Sequence, residues 1–103
     1  MESNREIWRS IDGYINYEVS THGRVRNVTS GRILKPPDNG HGYLRVTLCQ
    51  HKTMKQFLVH RLVAQEFLDN PDEKEYVDHI DGDTRNNLVS NLRWCSSSQN
   101  ISN

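Results

Sequence analysis

Hydrophobic positions recur along this chain with two periods, and the change between them divides it. In the first half they alternate with polar ones. Tyr17-Glu-Val-Ser-Thr-His-Gly-Arg-Val-Arg-Asn-Val28 sets alternating residues on either side of Thr21-His22-Gly23, the pattern of two short strands around a turn. Successive strand residues face opposite sides, so Arg24 and Arg26 share one face while Val25 packs on the other. Pro36-Pro-Asp-Asn-Gly-His-Gly42 has the composition of a loop. Across Tyr43–Cys49, Leu44, Val46 and Leu48 alternate with Tyr43, Arg45 and Thr47, which predicts a strand with one buried face. Gln50–Lys55 reads as a hairpin connection and Gln56–Val59 as the returning strand.

From His60 the period lengthens. Leu62, Val63, Glu66 and Phe67 lie at helical spacing among good helix formers, and Pro71 predicts an end near Asp69-Asn70. A short strand follows at Glu75–His79, then a turn-rich loop from Ile80 to Ser90 and a second strand at Asn91–Cys95. Ser96 is a suitable N-cap for a last helix, with Gln99 at the capping-box position. The expected class is α+β: a small N-terminal antiparallel β-sheet, one helix, then a strand–loop–strand–helix unit, all in one compact domain.

Composition narrows the class of protein. With 103 residues, 34% hydrophobic and 25% charged, the chain has the make-up of a hydrophilic globular domain. No stretch approaches the roughly 20 apolar residues of a membrane helix, and MESNREIWRS lacks the apolar core of a signal peptide. An intracellular location is therefore expected. Cys49 and Cys95 form no CxxC pair and read as free thiols. The formal net charge of zero hides an asymmetry. Residues 1–60 carry nine Lys/Arg against five Asp/Glu, and residues 61–103 carry four against eight. A basic half joined to an acidic half suits a protein that grips a polyanion with one part and holds a cation with the other.

The chemistry concentrates in VDHIDGDTRNNLVSNLRW, residues 77–94. Two antiparallel strands followed by a helix bring the end of the first strand near the start of the helix, and with them Asp78 and Asn100. A carboxylate, an amide carbonyl and waters form an oxygen shell suited to one Mg2+ or Mn2+. His79 points to the opposite face of the pleat from Asp78, where a neutral imidazole can accept a proton from water. Phosphodiester hydrolysis needs such a base together with a cation beside the phosphoryl oxygens. Asp81 and Asp83 read as turn formers, and His22, His41 and His51 as loop histidines. Trp8 and Trp94 read as core anchors, Trp94 beneath the metal position.

VDHIDGDTRNNLVSNLRW followed by SSSQN resembles the motif of the HNH, or ββα-metal, nucleases, in particular the intron-encoded nicking homing endonucleases of bacteriophages. The resemblance implies His79 as general base, Asp78 and Asn100 as metal ligands, and Asn91 as the middle asparagine bracing the loop and the base. Val59-His-Arg-Leu-Val-Ala64 matches the lead-in helix of that family, which places His60 near the site. Glu6-Ile-Trp8, Tyr14, Tyr17–Ser20, Gly23–Val25 and Gly42-Tyr43 are similar to the small DNA-binding motif that precedes these nucleases. Residues 1–55 then form the β-rich DNA-binding part and residues 56–103 the nuclease part. Double-stranded DNA is the implied partner of a monomer or weak homodimer. Arg24, Arg26, Arg32, Lys35, Arg45, Arg61, Arg85 and Arg93 are the candidate contacts. Two rivals stay open: a DNA-binding module that keeps the fold without turnover, and a zinc-binding protein that ignores DNA.

Overall fold

The computed structural model describes residues 5–35 and 42–96. Most of the loop at 36–42 and His41 lie outside that range, as do the expected last helix beyond Ser96 and Asn100. The described chain is α+β: β1 (Trp8–Ile11), β2 (Tyr14–Ser20), β3 (Val25–Asn27), β4 (Ile33–Leu34), β5 (Arg45–Gln50), β6 (Thr53–Leu58), α1 (Val59–Phe67), β7 (Tyr76–His79) and β8 (Leu92–Cys95). β1 to β4 pair in chain order as one antiparallel sheet, while β5–β6 and β7–β8 are separate hairpins.

One core joins these pieces. Val19 and Val25 from the sheet, Leu48 from β5, and Val59, Leu62, Val63 and Ala64 from α1 are buried together with Val77 and Leu92 of the last hairpin. Burying these alternating positions is the main force holding the sheet and both hairpins against one helix. The expected alternation holds in β5, where Val46 and Leu48 are buried while Arg45, Thr47 and Cys49 are exposed. It holds also around Val25, which is buried opposite Arg24 and Arg26. Tyr17 adds a polar link across the core, its hydroxyl accepting from the Cys49 amide at 3.2 Å.

Three local expectations shift. The β5–β6 hairpin turns tightly at His51-Lys52, both in the left-handed region (φ 53° and 65°), so the returning strand begins at Thr53 instead of Gln56. Val59 opens α1 instead of closing that strand. Trp8 is only partly buried: its ring lies under the Arg26 guanidinium at 4.0 Å, so it anchors cations as well as packing. Trp94 is partly buried against the core, and its indole N–H donates to the Leu68 carbonyl at 3.2 Å.

Candidate active site

β7 and β8 set the frame. Their register pairs Asp78 with Arg93 and His79 with Leu92. Pleating separates the two candidate groups: His79 turns inward and is buried, while Asp78 faces the other side. On that side Asp78 Oδ2 accepts from Arg93 Nη2 at 2.9 Å and Nε at 3.1 Å. Both guanidinium nitrogens converge on this one oxygen, a charge-assisted contact that holds Oδ2 against Arg93.

The inward face carries a stack of rings. The His79 imidazole lies 4.9 Å from that of His60, and the Tyr43 ring lies 4.8 Å from His60 and 5.7 Å from His79 (centroid distances). His60, the second residue of α1, is buried, and its Nδ1 has no hydrogen-bond partner among the described residues. Burial lowers its pKa to about 4, with further lowering from His79 and Arg61. It is therefore neutral at physiological pH. That makes it a packing partner of His79, not a cation for a phosphate.

The loop between β7 and β8 is built by asparagines and aspartates. Asp81 Oδ1 accepts from the Asp83 amide and Asp83 Oδ1 from the Arg85 amide, the turn-forming roles expected of both. Asn91 holds the loop from beneath: its Oδ1 accepts from the Asp81 amide, while its Nδ2 donates to Asp81 Oδ1 and to the Asn86 carbonyl. The side chain that reaches the imidazole is a different one. Asn87 Oδ1 lies 2.7 Å from His79 Nε2, and both residues are buried. Sequence reading passed over Asn87 because it stands in an Asn-Asn pair inside a turn-rich run. The available signal was the histidine, whose buried ring nitrogen needed a partner.

The basic residues divide into two sets. Arg24 is paired with Glu6, Arg26 with Glu18 at 2.8 Å, and Arg93 with Asp78, while Arg61 donates to the Glu75 carbonyl. Arg32, Lys35 and Arg45 instead line one open cleft of about 960 Å3 between the sheet and the β5–β6 hairpin, together with Tyr43 and Gln56. Tyr43 belongs to both features, so the cleft runs up to the ring stack. Arg85 is exposed on the β7–β8 loop.

Residues 6–49 match the NUMOD4 motif, and residues 57–101 match the HNH endonuclease family. DNA endonuclease I-HmuI of Bacillus phage SP01 is 42% identical over 97 residues, covering 93% of this chain and 56% of that protein. An HNH endonuclease of Acanthamoeba polyphaga mimivirus is 40% identical over 86 residues, 84% of this chain and 26% of its own length. The solved structure of the HNH homing endonuclease I-HmuI, which binds and cleaves DNA, superimposes with a TM-score of 0.86 at 41% identity, over 93% of this chain and 56% of that one.

The chain belongs to the HNH endonuclease family.

It spans only part of these relatives, 26% to 56% of their length. Within that part, the HNH match covers α1, the β7–β8 hairpin and the loop between them, and so contains every residue of the ring stack except Tyr43. Tyr43 comes from the NUMOD4 match. The two matched segments therefore meet at the imidazole.

Proposed function

We propose that this chain is a divalent-metal-dependent DNA endonuclease in which His79 is the general base. The observation that carries the reading is the arrangement on β7: a buried imidazole bonded through Nε2, and beside it in sequence a carboxylate held on the opposite face. His79 would take the proton from a water whose oxygen attacks phosphorus. As the new P–O bond forms, the bond to the bridging oxygen breaks, and that oxygen leaves with a proton from solvent. Asp78 and Asn100 would hold one Mg2+ or Mn2+. The donor chemistry of Asp78 fits: it offers hard carboxylate oxygens, of which Oδ2 is engaged by Arg93. When bound, such a cation supplies charge next to the phosphoryl oxygens and the leaving oxygen. Asn91 braces the loop, and His60 packs behind the base.

The basic cleft supports duplex DNA as substrate, since Arg32, Lys35 and Arg45 would bind phosphates along a track that ends at Tyr43 and His79. In this reading residues 1–55 supply affinity and residues 56–103 the chemistry. One such centre per chain nicks one strand, and the protein acts inside the cell.

Incubation of supercoiled plasmid with the protein and Mg2+ or Mn2+ tests this. Conversion to open circle, lost with EDTA and with His79→Ala, is the expected result. A second reading, DNA binding without turnover, draws on the engagement of Asp78 by Arg93, which already neutralises the carboxylate. Retarded plasmid that stays supercoiled under both metals would decide for it.

A further inference from the structure

We infer that Asn87 is a positioning residue for His79 and that the N-terminal sheet seats it, through Gly23. The inference rests on His79 as the base but concerns how that base is oriented. Asn87 Oδ1 is 2.7 Å from His79 Nε2, and an amide oxygen can only accept, so the imidazole donates from Nε2. A neutral imidazole carries one N–H. With that proton on Nε2, the lone pair that takes a proton from water is on Nδ1. Asn87 thus selects the tautomer and fixes the ring about its Cβ–Cγ bond. A second-layer partner commonly does this for functional histidines.

What holds Asn87 is the β2–β3 turn. Gly23 lies so close that a Cβ added there would be 2.6 Å from Asn87 Cβ and 2.8 Å from its carbonyl oxygen. Two residues earlier, the Thr21 carbonyl accepts from the Val89 amide at 2.8 Å. From the other side, Asn91 Nδ2 donates to the Asn86 carbonyl at 2.9 Å. Asn87 is therefore gripped between the turn of one matched segment and the hairpin of the other. The β2–β3 turn is a structural part of the site, in addition to any contact its sheet makes with DNA.

Gly13 provides an internal control. It has nearly the same left-handed backbone (φ 84° against 79° for Gly23), but nothing lies within 4 Å of its missing Cβ. Alanine at either position carries the same conformational penalty; only at Gly23 must Asn87 move.

The test combines nitrogen-15 NMR of the His79 ring at mildly alkaline pH with plasmid-nicking kinetics. Wild type should show the proton on Nε2. Asn87→Leu, similar in volume but without an acceptor, should lose that preference and lower kcat by about 10- to 100-fold, with KM for DNA within about twofold. Asn87→Asp keeps the acceptor and should restore the tautomer. Gly23→Ala should reproduce the kcat loss, and Gly13→Ala should retain wild-type kcat. A wild-type proton on Nδ1, or an unchanged tautomer and kcat in Asn87→Leu, would overturn the inference. Equal effects of alanine at positions 13 and 23 would remove the role of Gly23. Should wild type fail to nick, the assignment of His79 as base falls, and the NMR comparison alone decides whether Asn87 sets the tautomer.

Discussion

A histidine ring packed among other rings, as His60 is against Tyr43 and His79, meets a low-polarity surrounding that disfavours its charged form. The consequence is a stability that depends on pH. In the unfolded chain the ring titrates near 6.5, whereas in the fold burial lowers it to about 4. Between those values the unfolded state binds a proton that the native state refuses, so acidification favours unfolding. The contribution is complete above about pH 6.5 and is lost as the pH falls toward 4. Allowing for partial solvent screening, it is on the order of 2 kcal/mol. His60→Phe keeps a ring in the stack and removes the titration. Thermal unfolding at a series of pH values between 7 and 4.5 should show a steeper fall in Tm for wild type than for the variant. Parallel curves would mean that His60 is not what the acid attacks.

At the level of elements, legibility followed local chemistry. β5 was readable because a half-buried strand must alternate, and Val46 and Leu48 do. The end of α1 was readable from Pro71, and the Asp81 and Asp83 turns from the habit of aspartate to accept its own backbone amides. The start of β6 was misplaced for an equally physical reason. A two-residue connection with both residues left-handed is the type I′ turn, whose usual sequence is Asn-Gly, and here it is made by His51-Lys52. Neither residue advertises the turn, so the polar run from Gln50 to Lys55 looked like a longer loop. Asn87 was missed because nothing in an Asn-Asn pair within a turn-rich run says which amide turns inward; that becomes visible only once the loop folds back on His79 and packs against Gly23. The strained turn leads to a prediction. Replacing His51-Lys52 by Asn-Gly should relieve the left-handed backbone and stabilise the protein by about 1 kcal/mol, since both side chains are exposed. Denaturant midpoints would register the change. A midpoint that stays put or falls would show that His51 or Lys52 makes contacts worth more than the strain.

Over the whole molecule, charge is the property that sequence counts describe least well. The first 60 residues carry a surplus of four positive charges, yet the fold spends several of its arginines on itself: Glu6 holds Arg24 and Glu18 holds Arg26 beside Trp8. Arg32, Lys35 and Arg45, by contrast, are presented together along one cleft. Under the proposed function these two groups should behave differently toward salt. Each phosphate contact contributes roughly 0.9 to the slope of log K against log salt on duplex DNA, because neutralising it releases condensed counterions. Replacing Arg32, Lys35 and Arg45 with glutamine should therefore lower that slope by about 2 to 3 and weaken binding uniformly across sequences. Removing an internally neutralised pair, in the Arg26→Gln, Glu18→Gln double variant, changes no net charge and should leave the slope within about half a unit. Fluorescence anisotropy of a labelled duplex over a salt series reads both. If the double variant loses as much slope as the triple, DNA must open the Arg26–Glu18 pair on binding. The track would then run over the face of the β-sheet that carries Trp8, instead of through the cleft that leads by way of Tyr43 to His79.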